Sequence, residues 1–397
     1  MKTIYLDNAA TTAVDPEIFM AMKPYFLKKY GNASEFHLPG RIAREAIENS
    51  RISIAKFIGA KSDEIIFTGS ATESINLSHK GLIEFLRSSK FNPHIITTKI
   101  EHKAVLSTCE HLESIGWAKV TYLPVDNFGK IDLVTLEKAV TKETALISIG
   151  YVNNEVGVIQ QISEIGKLIK NVNAKRKNRI YFHTDATQAI KYLDVSVDHL
   201  GVDFLSFTGH KINAPKGIGV LYIREGVKII RQMDGGSQEK DLRAGTENVP
   251  YIVGLGKAIE KISNSKSHMS SEYKQISNLK DIQKKLIDGV LKIKGVRLTG
   301  HAKDRAPHIA SFIVDGVEGE AMVLHLSDLG IIASSGSACT SGDLRPSHVL
   351  SAMGIPPEKS HGSLRFSLGE QTSPKDIDYV LEKLPKIVEG LRLMSPI

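Results

Sequence analysis

The sequence predicts an α/β protein in which a largely parallel β-sheet is flanked by helices and followed by a smaller α+β region. Between about residues 45 and 225, apolar runs rich in Ile, Val, Phe and Tyr alternate with turn residues and helical periodicity. A helical block over 251–293 then interrupts the alternation, and shorter strand-like segments follow it. The chain of 397 residues is long enough for one large domain and a smaller companion.

Strands of the first region are predicted in six apolar segments. In chain order they are EIIFTG, HIITTK, TALISIG, RIYFHT, VDFLSFT and GIGVLYIR, and the first four are each expected to lead through a turn into a helix. Ligands of such sheets collect beyond the carboxyl ends of the strands. The residues directly after each strand are therefore the candidates for a functional site.

The second region contains three further strand-like segments between shorter helices, APHIASFIVDG, LGIIASS and SLRFSLG. We predict a large domain over 13–260 and a smaller domain that combines 1–12 with 261–397.

Composition excludes several classes of protein. An apolar fraction of 42% and a charged fraction of 24% are ordinary for a globular protein, and no segment has the apolar length of a membrane span. Asp7 precedes any apolar core of a secretory signal, and Cys109 and Cys339 are too few for a disulfide framework. A cytoplasmic location is expected. The net charge is +7, and the basic residues within 256–293 favour a solvated helix face over a surface for nucleic acid or an acidic protein.

Polar residues that follow the first three strands have both structural and chemical interpretations. Ser70 with Glu73 three residues later fits a capping box, and such a helix start also binds anions. His102 could be a structural residue or could lie on a ligand ring. Asn153 and Asn154 are common turn formers.

The next two strands are followed by residues with more specific chemistry. Asp185 could cap a helix or face a cationic ring nitrogen, and Gln188 lies three residues on. Lys211 follows Thr208 and His210 on a turn; a lysine shielded from water is a nucleophile suited to Schiff-base formation. Lys216 is the nearby competitor. Together, a phosphate cradle, an acid, a histidine and a lysine at one sheet edge indicate a pyridoxal-phosphate site.

Three other kinds of site have no motif in the sequence. A P-loop, a G-x-G-x-x-G dinucleotide fingerprint and the CxxC or HExxH zinc motifs are all missing, so no metal is expected.

Nine segments occur in the order of a known family: YLDNAATT, FTGSATES, EHKAVL, VNNEVG, DATQA, SFTGHK, RAGTENV, SSGSACTSG and LRFSLG. The chain resembles, over nearly its whole length, the cysteine desulfurases of the NifS/IscS type. These are class-V-aminotransferase-like enzymes of the fold-type I pyridoxal-phosphate group. The resemblance implies that the large domain contains a mostly parallel sheet of seven strands. It also implies that the small domain carries the catalytic cysteine loop.

The resemblance also implies cofactor contacts at matching positions. Lys211 would hold pyridoxal 5'-phosphate covalently, Asp185 would pair with the ring nitrogen, Gln188 would bond the ring hydroxyl, and His102 would stack on the ring and move protons. The phosphate would be bound by a further group of residues: Ala71, Thr72, Thr208 and His210. Thr246 would reach the phosphate of the neighbouring subunit, which implies a homodimer.

For the substrate, the resemblance implies that Asn154 and Arg365 receive the carboxylate of L-cysteine. L-Cysteine would become L-alanine, and its sulfur would move to Cys339 as a persulfide. The expected acceptor is a protein such as an iron–sulfur scaffold, or one that serves tRNA or cofactor thiolation. Direct nucleic-acid binding and membrane association are not expected.

Some positions depart from the family pattern. Residues 343–347 read DLRPS where members of the family often read SLEPS, so the charge is reversed at Arg345, and Ser237 stands where many have glycine. Two alternative functions stay open at this point. One is a related pyridoxal-phosphate enzyme, an aminotransferase or a selenocysteine-preferring lyase; the other is a catalytically silent binding or assembly protein.

Overall fold

A computed structural model describes residues 3–88, 91–267, 269–336 and 346–394. Its twelve strands are β1 Ile4–Tyr5, β2 Ile65–Thr68, β3 His94–Thr98, β4 Lys119–Leu123, β5 Thr144–Ser148, β6 Tyr181–Asp185, β7 Phe204–Thr208, β8 Gly219–Ile223, β9 Val296–Leu298, β10 Ile309–Val314, β11 Ile331–Ile332 and β12 Ser363–Ser367.

The first seven helices precede β7 in the chain. They are α1 Pro16–Leu27, α2 Leu38–Ile58, α3 Ala71–Ser88, α4 Lys103–Ser114, α5 Leu133–Ala139, α6 Ile162–Asn173 and α7 Val197–Leu200. The remaining helices are α8 Gln238–Asp241, α9 Val249–Ser267, α10 Met269–Val290, α11 Gly319–Asp328, α12 His348–Ala352, α13 Pro357–Ser360 and α14 Pro374–Met394.

A seven-stranded sheet forms the larger part of the fold, with strand order β2-β8-β7-β6-β5-β3-β4. Strand β8 runs antiparallel to both of its neighbours, and the other pairs are parallel. The predicted α/β class and its largely parallel sheet are therefore confirmed.

Both faces of this sheet are covered, which explains the nearly continuous apolar runs of its strands. Leu205 and Phe207 of β7 pack into one apolar cluster with α1, α2 and α9, whereas Phe204 packs into a second cluster with α3 and α4. Alternate side chains of a strand point to opposite faces, so each face of β7 buries its own apolar side chains.

The remaining strands form two smaller sheets. Strands β12, β10 and β9 make an antiparallel sheet in that order, and β1 pairs in parallel with β11. Ile4 and Leu6 belong to the same apolar cluster as Phe312 and Phe366. The N-terminal strand thus packs with the C-terminal region; the exact domain division stays a prediction.

Two local predictions are wrong. No helix begins directly after β6, because Asp185 Oδ1 accepts a hydrogen bond from Thr187 N at 2.9 Å and residues 187–192 form turns; the short helix α7 begins only at Val197. The chain after β5 also stays irregular until α6 begins at Ile162. Among the described helices, none has the combination of length and apolar character that a membrane crossing requires.

Candidate active site

A cavity of about 350 Å³ lies beyond the carboxyl ends of the large sheet. Ten of the predicted site residues line it: Ala71, Thr72, His102, Asn154, Asp185, Gln188, Thr208, His210, Lys211 and Arg365. Strands β2, β3, β5, β6 and β7 all run in the same direction, so the loops after them meet at this edge. Arg365 reaches the cavity from β12 of the second region.

Lys211 lies in a single 3-10 turn, Gly209–Lys211, directly after β7. Its Nζ donates hydrogen bonds to the carbonyl oxygens of Ala9 and Ala10 at 2.7 and 2.6 Å. These carbonyls hold the amine at the wall of the cavity. The competing residue, Lys216, is exposed and is not among the residues that line the cavity.

The start of α3 forms one wall of the cavity. Ser70 Oγ accepts from Glu73 N at 3.2 Å, while Glu73 Oε2 accepts from Gly69 N at 2.8 Å. The predicted capping box is thus present in shifted form, because Glu73 reaches Gly69 and not Ser70. Gly219 of β8 lies below this turn, and a Cβ there would come within 2.4 Å of the Ser70 carbonyl carbon. The helix start can approach the sheet this closely only over a glycine.

His210 contributes a neutral imidazole. Its Nδ1 lies 3.1 Å from Thr11 Oγ1. Burial, together with the positive charges of Lys211 and Lys216, lowers the pKa of His210 to about 4. The ring is therefore uncharged at neutral pH, so it can act toward a ligand through a hydrogen bond.

His102 caps α4, since its Nδ1 accepts a hydrogen bond from Ala104 N at 3.1 Å. A neutral imidazole that accepts at Nδ1 carries its proton on Nε2. The structural and ligand-facing interpretations of His102 are thus compatible, because one nitrogen caps the helix and the residue also lines the cavity.

Arg365 is buried and its guanidinium is already engaged. Nη1 donates to the Asn154 carbonyl and Nη2 donates to Asp7 Oδ1, both at 2.8 Å. The apolar neighbours Leu364 and Phe366 point the other way, into the core, as the alternation of β12 predicts. Among the described residues, no partner is found for the buried Nε of Arg365.

Glu101 and Glu155 are buried carboxyls beside the cavity that the sequence interpretation did not assign to the site. Burial raises the pKa of each to about 7. Glu101 accepts from Thr98 Oγ1 and Gly150 N, and Ser347 Oγ donates to Glu155 at 2.5 Å. In the sequence, Glu101 and Glu155 are the immediate neighbours of the predicted site residues His102 and Asn154, and this adjacency could have identified them.

The sequence interpretation also missed Asp7 and His308, because each of them contacts a predicted site residue that is distant from it in sequence. Asp7 pairs with Arg365, and His308 Nε2 lies 3.0 Å from Gln188 Oε1. Asp7 follows the apolar strand β1 within YLDNAATT, a position like those of the predicted site residues.

Two predicted residues are not part of this cavity as described. Thr246 is exposed and does not line it. Cys339 lies outside the described residues, as do Asp343 and Arg345. The residues directly before that segment, Ser334, Ser335 and Gly336, line the cavity.

The residues present fit the predicted cofactor. Pyridoxal phosphate needs an amine, a carboxylate for its ring nitrogen and donors for its phosphate, which the cavity offers as Lys211, Asp185 and the start of α3 with His210. Thr187 Oγ1 also lines the cavity, and no partner for this buried hydroxyl is found in the described part of the chain. The wall thus includes a polar group for which the described residues provide no partner.

Known proteins resemble this chain over its whole length. The sequence is 48% identical to cysteine desulfurase IscS of Dictyoglomus turgidum, over all of this chain and 97% of the relative. Among solved structures, a NifS-like protein superposes with a TM-score of 0.89 at 36% identity, covering 98% of this chain and all of that one. SspA, solved in complex with cysteine, superposes with a TM-score of 0.79 at 34% identity, covering 94% of this chain and all of that one.

The match to a family covers most of the chain. Residues 4–380 match the Aminotransferase class-V family, and the full-length relatives carry the name cysteine desulfurase. The chain therefore belongs to the class-V aminotransferase family and, within it, to the pyridoxal-phosphate-dependent cysteine desulfurases.

Proposed function

We propose that this cysteine desulfurase takes the sulfur of L-cysteine onto Cys339 as a persulfide and releases L-alanine. The observation that carries the proposal is that Lys211 and Arg365 line the same cavity. The lysine amine suits chemistry at the α-carbon of an amino acid, and the guanidinium suits its carboxylate. Ser334–Gly336, which lead into the segment with Cys339, line the same cavity. SspA, a structural relative, was solved with cysteine bound.

The cofactor of this family is pyridoxal 5'-phosphate, and when bound it supplies an electron sink for bonds at the substrate α-carbon. In our proposal Lys211 holds it covalently, and Asp185 faces the ring nitrogen. Gln188 donates to the ring hydroxyl, and His102 lies over the ring. The phosphate contacts are assigned to Ala71, Thr72, Thr208 and His210.

Arg365 and Asn154 receive the substrate carboxylate in this proposal. A guanidinium fork binds a carboxylate through two parallel hydrogen bonds. Because Arg365 already donates to the Asn154 carbonyl, the two residues present one surface to the substrate. The substrate amine takes the place of Lys211 on the cofactor, so the freed Lys211 amine can remove the α-proton, and His102 Nε2 is the second proton carrier.

Sulfur transfer is a displacement at the substrate sulfur. The Cys339 thiolate attacks that sulfur, a sulfur–sulfur bond forms, and the carbon–sulfur bond breaks. The electron pair of the broken bond remains on the β-carbon, which takes up one proton and becomes the methyl group of alanine. The α-carbon regains the proton that was removed, and L-alanine leaves. The thiolate form is required because a thiol is a poor nucleophile.

Intact-mass measurement tests this assignment. After turnover of isotopically labelled cysteine, the wild-type chain is expected to gain one labelled sulfur on the peptide that contains Cys339. A Cys339→Ser chain should gain none and should make no alanine above background. Alanine formation by Cys339→Ser at the wild-type rate would contradict the persulfide step and favour a selenocysteine-preferring lyase, whereas conversion of cysteine to a keto acid without alanine would favour an aminotransferase. A protein that binds no pyridoxal phosphate would favour a silent binding protein.

We further propose a homodimer in which Thr246 serves the neighbouring site. Thr246 is exposed, and large apolar side chains are exposed in and after α1, including Phe26, Tyr30 and Phe36. Such exposure is typical of a surface that is covered in an assembly.

Mixed dimers test where Thr246 acts. Subunits with Lys211→Ala and subunits with Thr246→Ala are each expected to be impaired as homodimers. If Thr246 crosses the interface, the mixed dimer contains one site with both residues intact and regains activity. If Thr246 acts in its own subunit, both sites of the mixed dimer are defective and no activity returns.

The persulfide must pass to another molecule, and we propose a cytoplasmic acceptor protein for iron–sulfur assembly or for tRNA or cofactor thiolation. Transfer of labelled sulfur from the loaded enzyme to purified candidate acceptors tests this step. Label on an acceptor cysteine supports it, and release of all label as free sulfide contradicts it.

A further inference from the structure

We propose that His308 is a positioning residue that fixes the amide orientation of Gln188 and so keeps its N–H side available to the cofactor. This inference rests on the proposed role of Gln188 at the ring hydroxyl. His308 directly precedes β10 in the second region, whereas Gln188 follows β6 of the large sheet. The contact therefore joins the two regions behind the cavity.

Two hydrogen bonds specify the same orientation of the Gln188 amide. Its Oε1 lies 3.0 Å from His308 Nε2, and its Nε2 donates to the Ala9 carbonyl oxygen at 2.9 Å. With the amide reversed, two acceptors would meet at Ala9. Two donors would meet at His308 when Nε2 of the imidazole carries the proton.

The imidazole carries that proton on Nε2. Because an amide oxygen only accepts, the contact with Gln188 requires His308 Nε2 to donate. His308 is buried, and burial, together with the charges of Lys191, Arg365 and Lys211, lowers its pKa to about 3. The ring is thus neutral, with its single proton directed at Gln188. Nδ1 is buried, and no partner is found for it among the described residues.

The ring of His308 is itself held in place. It stacks on the ring of Tyr192 with centroids 4.1 Å apart and planes 17° apart. Its carbonyl oxygen accepts from Leu368 N at 2.7 Å, just after β12. A histidine whose ring is stacked and whose backbone is hydrogen-bonded can impose an orientation on a glutamine that, without it, could turn over.

The fixed amide leaves one donor for a ligand. Nε2 of Gln188 carries two N–H groups, and the Ala9 carbonyl uses one of them. Gln188 lines the cavity, so the second N–H suits an acceptor oxygen such as the ring oxygen of pyridoxal phosphate. Donation to that oxygen favours its deprotonated form.

The test uses the visible absorbance of the bound cofactor, titrated with pH in the holoenzyme, and equilibrium binding of pyridoxal phosphate to the apoenzyme. His308→Phe retains a ring against Tyr192 but removes the donor. We expect the apparent pKa of the bound cofactor to rise by about 0.5–1 unit, the effect of one lost hydrogen bond. His308→Asn keeps an amide donor and should return the value toward wild type. Should the phenylalanine variant fail to fold, His308→Ala takes its place in the comparison.

Two further variants separate the possible failures. Tyr192→Phe keeps the stacked ring and should leave the titration unchanged. Gln188→Ala should raise the apparent pKa at least as far as His308→Phe. If Gln188→Ala shifts the titration and His308→Phe and His308→Ala do not, His308 has no positioning role. If Gln188→Ala itself changes neither the titration nor the binding, the proposed role of Gln188 is wrong, and the inference fails with it.

Discussion

Arg365 Nη2 lies 2.8 Å from Asp7 Oδ1, so a guanidinium that lines the cavity is paired with a carboxylate of the chain. The side chains of Arg365 and Asp7 are only 6% and 18% exposed, which makes this a buried pair and not a surface ion pair. Asp7 thus fixes the fork of Arg365, to which the proposed function assigns the substrate carboxylate.

Replacement of Arg365 by lysine should impair substrate binding more than folding. A lysine keeps the charge near Asp7 but loses the fork, and one charge-assisted hydrogen bond contributes about 1.5–3 kcal/mol. We expect KM for L-cysteine to rise at least about tenfold, with a melting temperature near that of the wild type. Steady-state kinetics and a thermal melt check this, and an unchanged KM would remove Arg365 from the substrate site.

The two cysteines give a matched pair of variants. Cys109 is fully buried in the cluster beneath α4, and burial raises the pKa of its thiol. Cys109→Ala should therefore keep nearly full activity, whereas Cys339→Ser should lose persulfide formation. Equal losses in the two variants would overturn the assignment of Cys339 as the nucleophile.

Gly219→Ala should weaken cofactor binding. The added methyl group would meet the backbone of Ser70, which cannot move without displacing the start of α3. We expect a higher Kd for pyridoxal phosphate and a lower melting temperature, measured by absorbance titration of the apoenzyme and by a thermal melt.

Gly390→Ala in α14 is the control for Gly219→Ala. An added Cβ at position 390 meets no atom within 4 Å, and alanine favours a helix over glycine by about 1 kcal/mol. That variant should be as stable as the wild type or more so, with unchanged cofactor affinity. A Gly219→Ala protein with the same Kd as this control would show that the close approach under Ser70 is not needed for the cofactor.

Arg51 and Glu239 form a buried pair that should contribute strongly to stability. The two side chains share two hydrogen bonds of 2.8 Å, and Glu239 also accepts from Phe67 N at 2.7 Å. Loss of one partner of a buried pair costs about 3–5 kcal/mol. Glu239→Gln should accordingly lower the midpoint of urea unfolding, measured at fixed protein concentration.

The control for this pair is Glu48→Gln, which removes the half-exposed second partner of Arg51. Its effect on the same midpoint should be small. Equal midpoints for the two variants would contradict a special role of the buried pair.

Glu101 predicts a pH dependence of stability. In the folded chain, burial raises its pKa to about 7 from the ordinary 4.5. Between these values the folded state binds more protons than the unfolded state, so the free energy of unfolding falls as pH rises. Glu101→Gln removes this titration and should flatten the decline between pH 5 and 7, measured by urea unfolding at several pH values. An equally steep decline in the variant would contradict a raised pKa at Glu101.

Much of the site was predictable because its signal is local. Ser70, His102 and Lys211 each follow an apolar strand within a few residues, and Asp185 is the last residue of β6. Parallel strands bring such positions together. The sequence shows this pattern without any knowledge of long-range contacts.

The parts that were missed depend on contacts between distant segments. Asp7 and Arg365 are 358 positions apart, and Gln188 and His308 are 120 apart. No periodicity encodes such pairs. The helix expected after β6 failed for a local reason, because the Asp185 side chain bonds the backbone and turns the chain there.

The Ala9 carbonyl accepts hydrogen bonds from both Lys211 Nζ and Gln188 Nε2. This contact belongs to the main chain of a residue whose side chain is a single methyl group. A mutational scan would therefore pass over it, since every natural substitution at position 9 keeps the carbonyl. An ester in place of the Ala9–Ala10 amide, made by chemical ligation, weakens that oxygen as an acceptor and reaches it directly.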